Sequence, residues 1–195
     1  MPFVRLPTLL VAVAISLTAP GTDAGQKRRA QTAPETFTSP AQARTGSSGA
    51  AAATILMQID RYTTEADRKT MTDALATGGY PAFLEALKEA PAVGYVELGD
   101  LKVPVRWARE QPTPKGRTIS LVTDTPMYFI GGGRTDAKPR EGFHLAIMQL
   151  SVDEYGFGTG TMAAAARVKP DGAGGVVMED YAEEPIKLTF VRRGI

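Results

Sequence analysis

"AVGYVELGDLKVPVRWARE", residues 92–110, decides the fold. Two runs rich in β-branched and aromatic residues flank Gly99-Asp100, a pair suited to a two-residue hairpin turn. A hairpin joins antiparallel neighbours, so this region is not built on the strand–helix–strand plan of a parallel sheet. The same pattern continues toward the C-terminus. "GRTISLVTD" (116–124) alternates Ile119, Leu121 and Thr123 against Thr118, Ser120 and Val122, and "TPMYFI" (125–130) continues it or starts a new strand. "GFHLAIMQLSV" (142–152) is apolar on both faces, as a central strand is. It pairs across "DEYG" with "GFGTGTMAAAARV" (156–168), and "PDGAGG" (170–175) turns into "VVMEDY" (176–181). In "PIKLTFVRR" (185–193) the alternation places Ile186, Leu188 and Phe190 inward, with Lys187 and Thr189 outward.

Toward the N-terminus, "TILMQIDRYT" (54–63) is a strand with Ile55, Met57 and Ile59 on one face. "TTEADRKTMTDALATGG" (63–79) is a helix. Thr64 and Asp67 form its capping pair, Met71, Ala74 and Leu75 its apolar stripe, and Gly78-Gly79 its end. "YPAFLEALKEA" (80–90) is a second short helix, with Pro81 in the first turn and Phe83, Leu84 and Leu87 on one side. The expected fold class is therefore α+β. An N-terminal strand and two short helices precede an antiparallel meander of about seven or eight strands, forming a curved sheet or partly open barrel. The helices are expected over one face or one open end of that sheet.

The chain opens with the features of an export signal over residues 1–24. Arg5 is followed by the apolar run "LLVAVAISL" (9–17), too short to span a bilayer, then by Pro20-Gly21 and the small residues "TDA". Residues 25–53, rich in Ala, Ser, Thr, Pro and Gly, are expected to be a disordered linker, since they offer little apolar area to offset ordering entropy. The single domain is then 54–193. No later apolar run reaches bilayer length, so the mature chain is expected to have no membrane span and to be exported to the periplasm or beyond.

The chain has no cysteine, which excludes disulfides, thiolate zinc sites, a cysteine nucleophile and acylation at a signal-peptide cysteine. Lys and Arg number 22 against 21 Asp and Glu, a balance that gives no electrostatic case for nucleic acid.

"FIGGGRTD" (129–136) has neither the Gly-Lys-Ser/Thr nor the following helix of a phosphate loop, and it lacks the tandem repeats of a calcium-binding nonapeptide. It reads as a loop with solvated charges, Arg134, Lys138 and Arg140 leaving a weak anion site. His144 is the single histidine and no Gly-x-Ser-x-Gly elbow accompanies it, so a packed histidine is the favoured reading. Asp153, Glu154 and Asp180, with His144, are the candidates for carboxylate-driven hydrolysis, though turns attract such residues for ordinary reasons. Trp107 is either a ligand platform or a packing residue. Gly156, Gly158 and Gly160 recur at period two and leave backbone bare, as a floor under a crossing helix, at a sharp bend, or beneath a ligand. No cofactor is implied.

"ARE" (108–110), "GRTISLVTDTP" (116–126), "GTGTM" (158–162) and "EDYAEEPIKLTFVRR" (179–193) resemble segments of a group of small exported bacterial proteins. The resemblance covers residues 54–193. It implies a bacterial origin and a domain start near Thr54, and it assigns no activity or catalytic residue. The leading expectation is a non-enzymatic exported domain that binds a small ligand or an envelope protein. The alternatives are a secreted hydrolase using carboxylates and a structural module pairing through an edge strand.

Overall fold

Among the described residues, alternation of inward apolar and outward polar side chains runs through eight strands and turns them into one closed wall. The structure, a computed structural model, describes residues 33–44, 50–127, 141–172, 174–181 and 185–194. Among these the elements are β1 (Glu35–Arg44), β2 (Ala50–Ile59), α1 (Glu65–Glu89), β3 (Gly94–Leu98), β4 (Leu101–Thr113), β5 (Gly116–Thr123), β6 (Leu145–Val152), β7 (Phe157–Pro170), β8 (Val176–Tyr181) and β9 (Ile186–Arg193). All strand pairings are antiparallel. Strands β1 to β7 follow one another as a meander, β7 pairs with β9, and β9 returns to β1. Eight strands therefore close into a barrel. β8 lies outside the ring, paired to the last residues of β7.

This corrects the α+β expectation of two short helices and an open sheet. The element that closes the ring is β1, whose residues composition places in a disordered linker. Its ten residues pair with β2 from Glu35↔Ile59 to Arg44↔Ala50, and its other edge meets β9. Phe37 and Ala41 are fully buried. Pro40 is tolerated because the ladder to β9 jumps from Thr38 to Ala41, so it falls where regular bonding is already interrupted. Closure leaves no edge on the eight ring strands. The proposed export signal lies outside the described residues.

The barrel interior is filled by side chains, as eight strands permit. Ile55, Met57 and Ile59 face inward as their alternation indicates, and meet Val96, Val103, Ile119, Leu121, Met148 and Met162 in one apolar cluster. The expected inward Phe190 is corrected. β9 bulges at Thr189-Phe190, so Leu188 and Val191 both point in while Phe190 is 74% exposed.

The two expected helices run together as one element, interrupted at Gly79, where the first was expected to end; its φ of +68° is costly for any residue with a Cβ. Thr64 caps it as expected, accepting from the Asp67 N–H at 3.1 Å. α1 lies over the outer face of the closed wall, the first of the two placements expected. Met71, Leu75, Phe83 and Leu87 pack on Trp107, Val122, Ile147 and Ala163, in a second cluster separate from the interior. Each fully buried side chain of this kind contributes about 1.5–3 kcal/mol. Among the described residues no helix is long and apolar enough to cross a membrane.

One barrel end is closed by charge. Arg117, on β5, donates to both carboxylate oxygens of Glu35 at 2.9 and 2.5 Å and to Glu110 at 3.1 Å, and the Tyr62 hydroxyl donates to Glu35 at 2.8 Å. The Glu35 and Arg117 side chains are 3% and 7% exposed. A buried pair of this kind is tolerable only with such complete hydrogen bonding.

Candidate functional site

Across the Thr118–Ser120, Gln149–Ser151 and Thr159–Thr161 segments of β5, β6 and β7 the outward side chains form a regular neutral surface. Strand register aligns them in two rows. One row runs Thr118, Ser151, Thr159 across β5, β6 and β7; the next runs Ser120, Gln149, Thr161. Cross-strand neighbours stand about 5 Å apart and the rows about 7 Å apart. Five of the six line a shallow cleft of about 300 Å³, with Gly160 at its base. Every side chain of this lining is a hydroxyl or an amide, able to donate and to accept hydrogen bonds, and none is charged.

Aromatic and charged groups lie at the margins. Phe157 precedes Thr159 by two residues on the same face and is 60% exposed; Phe190, in the β9 bulge beside Thr159, joins it. Lys187 pairs in register with Thr161, and Arg192 with Phe157. Arg109, in register with Ser120, is held by Asp171 at 3.1 Å. At the β8 side the cleft continues into an apolar recess of about 60 Å³, between Ile147 and Ala163 on the wall and Val176 and Met178 on β8.

The period-two glycines serve the wall itself. A Cβ on Gly158 would strike the Ser151 carbonyl oxygen, and one on Gly160 would lie 2.7 Å from the Gln149 oxygen. The bare backbone is thus approached by β6, its paired neighbour in the hairpin, rather than by α1. Gly156 turns the β6–β7 hairpin with φ +88° against the Arg193 side chain. Trp107 is fully buried under α1, its ring 6.5 Å from that of Phe83, so it packs and offers no surface platform.

The carboxylates and the histidine singled out by sequence do not converge. Asp153 accepts from the Tyr155 and Phe157 N–H groups, both at 2.9 Å, and shapes its own turn, with exposed Glu154 beside it. Asp180 stands in register with Arg167 on the outlying β8. His144 precedes β6 rather than lying within it. Its ring stacks on Tyr80 at 6.2 Å and its backbone N–H donates to the Tyr80 hydroxyl at 3.0 Å. Burial raises the Tyr80 phenol above its ordinary pKa, against the His144 bond and the Arg167 charge, which lower it. Arg134, Lys138 and Arg140 lie outside the described residues.

Sequence reading missed the Glu35–Arg117–Tyr62 cluster altogether. Glu35 lay in an assumed linker, and no local spacing links residues 27 and 82 positions apart. Burial and the hydrogen bond to Glu35 raise the Tyr62 pKa. Burial disfavours the charge on Arg117, but the bonds and charges of Glu35, with Tyr62 and Glu110, outweigh it and raise its pKa. Each Glu35 oxygen is engaged, so the cluster is suited to holding the barrel end rather than to receiving a substrate. Among the described residues no three His, Asp or Glu side chains gather as a metal site would require.

The chain matches no protein-family model, none of the curated proteins compared with it and no solved structure.

Proposed function

We propose that this chain is an exported bacterial binding domain without catalytic activity, and that its ligand lies across the outer face of β5, β6 and β7. The observation that carries the reading is the double row Thr118–Ser151–Thr159 and Ser120–Gln149–Thr161. A ring of eight strands filled with side chains directs recognition to the outside. A cleft lined only by hydroxyl and amide groups favours a neutral, polar ligand. The N-terminal apolar run with its small-residue stop supports export.

The test is thermal melting of the chain with a panel of neutral compounds: oligosaccharides, dipeptides and nucleosides. A ligand at a hundredfold its Kd stabilises by about 2.7 kcal/mol. That raises Tm by roughly 5–10 °C for a chain of this size. Ser151→Arg, at an exposed position in the cleft, is expected to abolish the rise while leaving the unliganded Tm within about a degree. No rise with any compound, or an equal rise in the variant, contradicts the reading.

One observation favours a second reading, a structural module. β8 pairs only with β7 and carries the half-exposed Val177, so one of its edges is open among the described residues. Pairing there predicts self-association that rises with concentration and is lost in Val177→Lys, as measured by sedimentation velocity.

A further inference from the structure

We infer that the ligand of the outer face is a neutral oligosaccharide bearing acetamido groups; this rests on the binding reading above. Three features of the face point to it together. The hydroxyl and amide rows repeat across three strands, and so offer paired donors and acceptors to an extended chain of hydroxyls. At one end Phe157 and Phe190 expose flat apolar surfaces, which suit the carbon–hydrogen face of a sugar ring. At the other end lies the recess beneath β8.

The recess is what selects the acetamido class. Its volume of about 60 Å³ has room for a group of a few heavy atoms and not for a ring. Ile147, Ala163, Val176, Val177 and Met178 make most of its wall apolar, with the Ser120 hydroxyl beside them, while Gln149 and Thr161 belong to both the recess and the hydroxyl cleft. A methyl group seated among the apolar side chains would leave its attached amide at the mouth. There the Gln149 amide and the Thr161 hydroxyl present both hydrogen-bonding senses. An unsubstituted glucan leaves the recess empty. A carboxylated glycan finds no cation in the lining itself: Lys187 is the cross-strand neighbour of Thr161 and Arg192 that of Phe157, both on β9 outside the cleft, and Arg109, beside Ser120, is held by Asp171.

The experiment is calorimetric titration of the whole chain with chitohexaose, cellohexaose and hexagalacturonate. The expected result is chitohexaose binding at least tenfold more tightly than cellohexaose, with hexagalacturonate weakest. Ala163→Leu, which fills the recess, is expected to remove the preference and keep the weaker binding. The wild-type comparison stands on its own if that variant folds poorly. Equal affinity for the two neutral sugars, or tighter binding of the acidic one, overturns the acetamido inference and leaves the binding reading intact. The same holds if only a non-saccharide from the neutral panel binds. Absence of binding by every sugar and every panel compound overturns both.

Discussion

Replacing Glu35 with alanine removes the anion that holds β1 in the ring, and the cost can be worked from its contacts. The carboxylate accepts two bonds from Arg117, at 2.9 and 2.5 Å, and one from Tyr62 at 2.8 Å. In Glu35→Ala the guanidinium, 7% exposed, keeps Glu110 at 3.1 Å but loses its bidentate partner. Breaking a buried pair from one side costs about 3–5 kcal/mol, because the remaining charge stays desolvated. Glu35→Gln keeps an acceptor for Tyr62 and loses the charge, so about half that loss is expected. The double variant Glu35→Met/Arg117→Met removes the buried pair but leaves the Tyr62 hydroxyl and the Glu110 carboxylate without these partners, so it is expected to recover only part of the Glu35→Ala loss. Urea denaturation followed by tryptophan fluorescence reads all three, since Trp107 is the single tryptophan and is fully buried. A loss below about 1 kcal/mol in Glu35→Ala refutes the reasoning. A double variant as unstable as Glu35→Ala shows that shape, not charge, holds the strand.

Three further outcomes are expected. A chain beginning at Thr54, the domain start suggested by composition, loses Phe37 and exposes the β2 and β9 edges; circular dichroism is expected to show no cooperative melt. Gly158→Ala forces a Cβ onto the Ser151 carbonyl oxygen and within 2.9 Å of the Val152 Cα, backbone that cannot move aside as a side chain would. A loss of about 1–3 kcal/mol in urea is expected. The third is alkaline. Because the folded state raises the Tyr62 pKa above 10.0, the unfolded chain releases that proton first. The stabilisation is complete below pH 10 and declines as pH rises further, by up to about 1.4 kcal/mol per pH unit. Tyr62→Phe is expected to flatten that decline between pH 10 and 11.

Much of the wall was legible because single strands declare their own faces. Ile55, Met57 and Ile59 alternate cleanly, Gly99-Asp100 marks its hairpin, and Thr64 with Asp67 marks the helix start. β1 was illegible for a physical reason. Its inward positions hold Phe37, Ser39 and Ala41, too little apolar material to signal a strand, and its stability comes from β2 and β9 on either side. Phe190 misled because a bulge shifts the alternation by one residue, and a bulge is a property of the pair, not of one strand. The glycine period leaves backbone bare, while the partner that approaches it, β6, depends on register. The same holds for the candidate site. Thr118, Gln149, Ser151, Thr159 and Thr161 each look like ordinary outward residues, and only pairing brings them into rows.

The outer face as a ligand surface is tested most directly by amide chemical-shift mapping of the isotope-labelled chain during titration with chitohexaose. Shifts are expected to centre on Gln149, Ser151, Thr159, Gly160 and Thr161, with smaller ones at Phe157 and Val176. A spectrum unchanged by chitohexaose and by every compound of the neutral panel, or shifts centred on Tyr80, His144 and Arg167 at the bend of α1, would contradict it.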